Sequence, residues 1–331
     1  MLITKPDYFD HFRCLAGACP DSCCQGWEVQ VDDASAAHYR SLSGSLGDTL
    51  RDVLRDVDGE TVMTIVDERC PMWRGDGLCR IQAELGESAL CQTCRDFPRL
   101  THDYGDFVER GLELSCPEAA RLILTAPPAA AVAEEIPGEG EADYDREAMA
   151  LLKASREQAL ALLADSARPV GQTLALLLLY GCQAQSELDG GEAAPFSAEE
   201  ALETAKVLAK PGPARDLLDF FAELELLTSE WEAILRAPAP GLWDGRTLAL
   251  ARYFVQRYWL QAVSDYDLYS RVKFTILACL LVREVGGDFL RTAQLFSKEV
   301  ENDADNVDAI LDAAYTHPAF TDDKILGMLL T

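Results

Sequence analysis

The chain has 331 residues, 49% hydrophobic and 26% charged, an ordinary globular composition with length for a sizeable core and two domains. Its 56 acidic residues against 29 basic ones give a formal net charge of −27, which repels phosphate backbones and anionic membranes and suits a basic or lysine-bearing partner better, although an acidic surface also serves plain solubility. The opening MLITKPDYFDHFR lacks the basic start and apolar run of a signal peptide, and the longest apolar stretches, LALLLLY and FTILACLLV, are too short to span a membrane, so a soluble cytoplasmic protein is expected, with no nucleic-acid or membrane partner.

In chain order, the stretch ACPDSCCQGW brings Cys19, Cys23 and Cys24 together just after Cys14. WEVQVD (27–32) then alternates Trp27, Val29 and Val31 on one face, a short strand ending at Asp32 and Asp33, which cap a helix through His38 and Tyr39. TVMTIV (61–66) and FVERGLEL (107–114) read as two more strands. Between them, Gly75-Asp76-Gly77 predicts a tight turn that returns Cys70 and Cys79 toward each other. SALCQTCRDFPR predicts one helical turn halted by Pro98, with Cys91 and Cys94 on one face. SCPEAARLIL predicts a helix with Ser115 as N-cap and Glu118 completing a capping box, so that Cys116 sits at a helix N-terminus, where a thiolate is favoured.

Nine of the eleven cysteines thus fall between residues 14 and 116, each at a turn or an element end: Cys14, Cys19, Cys23, Cys24, Cys70, Cys79, Cys91, Cys94 and Cys116. A reducing cytoplasm and an odd count argue against disulfides, and soft thiolates gathered in one region select zinc or iron-sulfur. A structural zinc site is usually built from two C-x2-C knuckles, and only Cys91 to Cys94 makes one, so a 4Fe-4S cluster is favoured with zinc as the alternative metal. Adjacent side chains such as Cys23 and Cys24 are expected to point apart, so the nine thiols imply one cluster with spares, or two sites. Cys182 and Cys279 lie in apolar helical patterns and read as small buried hydrophobes.

The Pro-, Ala-, Gly- and Glu-rich segment 126–142 reads as a linker or surface loop, dividing a cysteine-rich unit (1–125) from a helical domain (143–331). Helices are predicted over 145–164, 170–184, 197–209, 215–236, 246–263, 266–285 and 286–303. The expected fold is mainly α: a small Cys-rich metal-binding N-terminal unit with a few short strands, packed on an α-helical bundle. No Rossmann glycine pattern follows a strand, no Walker A loop is present, and His11, His38, His102 and His317 occur singly with no paired serine nucleophile. The C-x3-C-x2-C triad of radical S-adenosylmethionine enzymes is also missing, since Gly26 follows Cys19 and Cys23 where the third cysteine would stand. On chemistry alone the chain is a thiolate metal protein, and a non-catalytic zinc- or iron-binding module or an iron-sulfur electron carrier would fit it.

The series FRCLAGACPDSCCQGWEVQVD, CPMWRGDGLCRIQAELGESALCQTCRDFPR and LELSCPEAARLIL, in that order, resembles the flagellin lysine N-methylases, the FliB family, within a broader set of cysteine-cluster proteins. The similarity is dense over residues 8–124 and looser beyond, notably in LARYFVQRYWL. It implies an enzyme, a protein-lysine N-methyltransferase that moves methyl groups from S-adenosylmethionine to lysines of flagellin and carries a 4Fe-4S cluster, with the nine cysteines matching those of the family. For such chemistry Tyr8, Tyr39, Tyr104, Asp96 and Glu118 are candidate groups to hold and deprotonate the substrate ammonium, although turn, cap and core roles explain each one alone.

Overall fold

In the computed structural model, which describes every residue except Gly26, Asp58, Glu68, 128–130, Pro137, Glu139 and Pro213, helices dominate and the strands form two small sheets. The first third of the chain runs through β1 (Leu2–Pro6), β2 (Val29–Gln30), α1 (Asp33–Ser41), α2 (Gly44–Val53), β3 (Leu54–Val57), β4 (Glu60–Met63), α3 (Arg80–Leu85), α4 (Gln92–Asp96), β5 (Arg99–Asp103), β6 (Phe107–Leu112) and α5 (Pro117–Thr125). A seventh strand, β7 (Ala131–Glu135), lies inside the segment that the sequence marks as a linker, five of whose residues are among those not described.

One sheet has the order β5-β6-β1-β7 and the other β2-β4-β3. β1 runs parallel to β6, with Ile3 opposite Val108, and antiparallel to β7, whose five residues all face solvent. Strand β7 carries no buried side chain, so backbone pairing with β1 places it. The predicted strands at 27–32, 61–66 and 107–114 are present but shorter. The second ends early because Val66 and Arg69 exchange backbone hydrogen bonds and turn the chain back.

Beyond β7 the chain is helical: α6 (Arg146–Ala164), α7 (Val170–Leu188), α8 (Ala198–Leu208), α9 (Ala214–Glu223), α10 (Ser229–Arg236), α11 (Thr247–Tyr258), α12 (Leu268–Val285), α13 (Phe289–Phe296), α14 (Ala304–Thr316) and α15 (Asp322–Leu330). Acidic N-caps start many of them: the carboxylates of Asp145, Asp267, Asp288 and Asp303 each accept from a backbone N–H of the first turn. The predicted helix over 215–236 is instead two, α9 and α10, because the buried Glu299 carboxylate accepts from the N–H groups of Leu227 and Thr228 and Thr228 then caps α10. The expected capping box at Ser115 is absent as well. Pro117 fixes the first helical position, Cys116 is the N-cap, Ser115 Oγ donates to Glu113, and Glu118 pairs with Arg121.

Two apolar cores hold the fold. The larger is built on α7 and α12, nearly buried all round, and takes in residues from every helix between α5 and α15. It also takes in Tyr8, Phe9, Phe12, Phe107, Leu112 and Leu114, so β6 and the turn after β1 pack with the helices. The smaller core joins Val29, Val31, Tyr39, Leu50, Leu54, Met63, Met72 and Ile81 around the buried Cys70 and Cys91. Among the described residues no helix is long and apolar enough to cross a membrane.

Candidate active site: clustered thiols and the adjoining cleft

The cysteines are presented by short-range backbone devices. Cys70 N–H donates to the Cys24 carbonyl at 2.7 Å, which ties the loop before β2 to the segment after β4. The turn predicted at Gly75-Asp76-Gly77 forms, with Gly77 at φ +80 and Arg74 N–H donating to Leu78, and it brings Trp73 into a bridge with Cys79. Cys79, Cys91 and Cys116 are the N-caps of α3, α4 and α5. Asp32 fastens α4 to α1, its carboxylate accepting from Ser35 N–H at 3.0 Å and Gln92 N–H at 2.8 Å. The Gln92 N–H, followed by the Ser35 contacts, holds its carboxyl down at about 2.

The thiols form two neighbourhoods that meet at Cys23. In the smaller core, Cys91 accepts a hydrogen bond from Cys94, Cys70 accepts one from Cys24, Cys24 also bonds Cys23, and Cys79 stands near Cys23 and Cys91. Cys19 stands near Cys14 and Cys23, and Cys116 near Cys19 and Cys23. Cys23 and Cys24, expected to point apart, interact closely enough that Cys24 is the main cause of the upward shift of the Cys23 thiol. Acceptance from Cys94 brings the Cys91 thiol down to about 7 and pushes Cys94 up. Cys24 is pulled down by Cys23, but its bond to Cys70 and its burial outweigh that and push it up to about 12; burial, with Cys19 and Cys23 adding to it, carries Cys116 to about the same value. Among the described residues no group of three His, Cys, Asp or Glu side chains stands at the spacing one metal ion needs. Cys279 is fully buried, and Cys182, half-buried, approaches Asp322 at 3.8 Å, well away from the other nine.

Between α4, which carries Cys94, and the helical body lies a cleft of about 440 Å³. It is lined by Trp27 before β2, Thr93, Asp96 and Phe97 at α4, Arg99 in β5, Glu113 after β6, Arg257 in α11, and Glu301 in the turn after α13. That turn, Ser297–Glu301, is a π-helical turn with all five residues buried, a local widening often found at functional sites. Glu301 has no exposed side-chain surface and is heavily bonded: Tyr253 and Tyr258 hydroxyls donate to Oε1 at 2.9 and 3.1 Å, Ser297 Oγ donates to Oε2 at 2.5 Å, and Arg257 Nε lies 3.0 Å away. Tyr253 in turn accepts from Arg257 at 2.8 Å and from Leu114 N–H at 3.4 Å.

Glu113 is the less satisfied carboxylate, taking only a 3.3 Å bond from Ser115 Oγ. Burial raises its carboxyl above the ordinary glutamate value, Arg257 opposes the shift and Glu301 adds to it. The cleft can therefore neutralise a cation and take a proton from it. A clasp joins the thiol loop to α13 and the π turn: Asp21, two residues from Cys19 and from Cys23, bonds Arg291 at 2.8 Å, Lys298 at 3.0 Å and Gln294 at 3.0 Å.

Of the side chains considered for ammonium handling, only Asp96 lines this cleft. Tyr39 is buried in the smaller core, donating to the Ala89 carbonyl at 2.7 Å; Tyr104 stacks on Phe107; Tyr8 is buried beside β1; and Glu118 is spent on Arg121. Tyr253, Arg257 and Glu301 did not stand out from the sequence. The i,i+4 pair Tyr253 and Arg257 in LARYFVQRYWL was the one available signal, a polar stripe in an otherwise apolar helix.

The chain is 35% identical over 143 residues to the flagellar biosynthetic protein FliU of Salmonella muenchen, a match covering 40% of this chain and 83% of FliU. It is 34% identical over 143 residues to the lysine-N-methylases of Salmonella choleraesuis (strain SC-B67) and Salmonella typhimurium (strain LT2), covering 40% of this chain and 35% of each of them. The match thus spans about a third of the length of those two relatives. No family model matches, and no solved structure matches. With more than two thirds of FliU covered at this identity and the same region shared with the lysine-N-methylases, the chain belongs to the flagellin lysine N-methylase family.

Proposed function

We propose that the protein is a cytoplasmic methyltransferase that transfers methyl groups from S-adenosylmethionine to lysine side chains of flagellin. The observation that carries this reading, in a chain related to lysine-N-methylases, is the Glu113 carboxyl, raised by burial and facing the cleft it shares with Arg257 and Glu301. S-adenosylmethionine supplies an electrophilic methyl on a sulfonium. The chain's own residues have to prepare the nucleophile, because a lysine ammonium has no lone pair until it loses a proton.

The cleft suits that task. Asp96 and Glu113 attract the ammonium, and the surrounding walls strip water from it and so lower the cost of its deprotonation. Glu113 takes the proton. Glu301, locked between two tyrosines and Arg257, fixes the guanidinium that faces Glu113 rather than titrating with the substrate. Arg257 keeps Glu113 from drifting to a fully neutral state. A net charge of −27 draws basic segments toward the protein.

The nine clustered cysteines are proposed to hold a 4Fe-4S cluster, zinc being the alternative metal. Support comes from the donor set, all sulfur, and from its electrostatics. Burial and mutual contact push Cys23, Cys24, Cys79, Cys94 and Cys116 up, so ionising them together requires the positive charge that a bound metal brings. The cysteine-rich segment 1–125 and the helical segment 143–331 would then contribute opposite walls of one active site. Incubation of anaerobically purified protein with labelled S-adenosylmethionine and a lysine-bearing flagellin tests the reading. Label on lysine supports it, and cofactor binding without transfer to any lysine refutes it.

A further inference from the structure

Behind the cleft, on the far side of Arg257, the sheet and helices α6 and α11 enclose a second cavity of about 130 Å³. Four basic side chains, Lys5, Arg110, Arg156 and Arg257, reach its wall in a chain that is otherwise strongly acidic. Three residues of its lining carry a buried nitrogen that makes no hydrogen bond: Arg257 Nε, which still lies 3.0 Å from the Glu301 carboxylate, and His102 Nε2 and Arg156 Nε. Arg156 explains how one of them arises. Its two terminal nitrogens are taken by Glu109 at 2.8 and 2.6 Å, a bidentate pair with side chains only 12% and 18% exposed, which leaves the Nε edge free. Donors left open on a buried wall are costly unless an acceptor fills the space between them.

We infer that this cavity binds the α-amino-acid end of a small ligand with an apolar side chain, its carboxylate accepting from Arg156 Nε–H and His102 Nε2–H, its ammonium facing Glu157, and its side chain lying on Leu100, Leu112 and Leu160. Burial, and then the neighbouring Arg257 charge, keep His102 below its ordinary value, so it meets the carboxylate as a neutral donor. The volume admits an amino-acid head group and excludes a nucleoside, which would remain outside the cavity mouth. Resting on the methyltransferase reading, the methionyl end of S-adenosylmethionine is the ligand of this class that the chain requires. Arg257 lines both the cavity and the cleft, and so lies between the two reacting molecules.

The test is calorimetric titration of the whole, anaerobically purified protein with S-adenosylhomocysteine, and competition by free L-methionine. Gly111 lines the cavity, and a Cβ built on it meets nothing within 4 Å, so Gly111→Leu fills the space without a backbone clash. An added group of this size in a fitted pocket is worth about 10–200-fold, so Gly111→Leu, shown folded by circular dichroism, should weaken S-adenosylhomocysteine at least that much. Glu113→Gln should bind it as the parent does, and L-methionine should displace it from both parent and Glu113→Gln. Folded Gly111→Leu binding as tightly as the parent overturns the inference, as does failure of the parent to bind either probe. Tight, Gly111-sensitive binding without methyl transfer to lysine would instead uphold the cavity and remove the methyltransferase reading.

Discussion

Replacing Glu113 by Gln keeps the shape of the side chain and removes its ability to take a proton. Proton transfer by a positioned side chain contributes about 10²–10⁴-fold, or about 2.7–5.4 kcal/mol of barrier, so kcat for methylation of a lysine peptide should fall by that factor while KM changes little. Stability should move the other way. The folded state raises the Glu113 carboxyl above 4.5, so its contribution is fully present below that value and is lost as pH rises through the higher folded value. Gln cannot ionise, and the one bond it inherits, from Ser115 at 3.3 Å, is weak. Urea unfolding from acid to neutral pH should therefore show the variant equal to the parent in acid and equal or more stable above. The parent's kcat should also rise with pH through an inflection above the ordinary glutamate range. Unchanged kcat in a folded Glu113→Gln protein would refute the base assignment, and destabilisation by several kcal/mol would show Glu113 to be a structural ion-pair partner.

Other perturbations address the remaining parts of the account. Asp21→Asn leaves Lys298, 8% exposed, without its counter-ion, so unfolding should cost about 3–5 kcal/mol less by denaturant melts, and the loop at 19–24 should become protease-sensitive. Burial would raise the Asp21 carboxyl, but Lys298, the Ser22 N–H and Arg291 together outweigh it and hold the carboxyl down; its stability contribution is present above the ordinary aspartate range and lost as pH falls through the folded value, a dependence the variant should lack. Cys94→Ser should reduce bound metal and visible colour, whereas Cys279→Ala should change neither and cost about 1 kcal/mol of packing; equal metal loss in both would erase the distinction between clustered and helical thiols. Gly181→Ala drives a Cβ to 2.7 and 2.8 Å from the Val272 methyls where α7 crosses α12, and should destabilise by about 1–3 kcal/mol by calorimetry; an unaltered melting temperature would contradict the tight helix contact.

Local chemistry was legible from sequence where one element decided the outcome. Asp32 capped α1 as its position before the helix predicted, Pro98 stopped α4 after one turn, and the Gly75–Gly77 turn folded Cys79 back beside Trp73. The break between α9 and α10 was not legible, because its cause is a carboxylate seventy residues away, Glu299, that takes the N–H groups a continuous helix would have used. The strand β7 escaped notice since none of its side chains is buried and pattern reading depends on one face being hidden. The same holds at the candidate site. Each thiol could be assigned to an element end, but the contact of Cys23 with Cys24 and the meeting of Glu113, Arg257 and Glu301 are products of packing between distant segments. Within SKEVENDADN nothing in the sequence marks Glu299 and Glu301, buried in the π turn, apart from the acids that follow them.

The central claim is that this chain methylates lysine, and transfer of labelled methyl groups measures it directly. Protein purified anaerobically, with its metal content determined, is incubated with methyl-labelled S-adenosylmethionine and flagellin, and flagellin peptides are read by mass spectrometry. The account predicts label on lysine Nζ, cut about 10²–10⁴-fold by Glu113→Gln and lowered by Cys94→Ser in step with its metal loss. Metal-replete protein that binds the cofactor yet leaves every flagellin lysine unlabelled would contradict it.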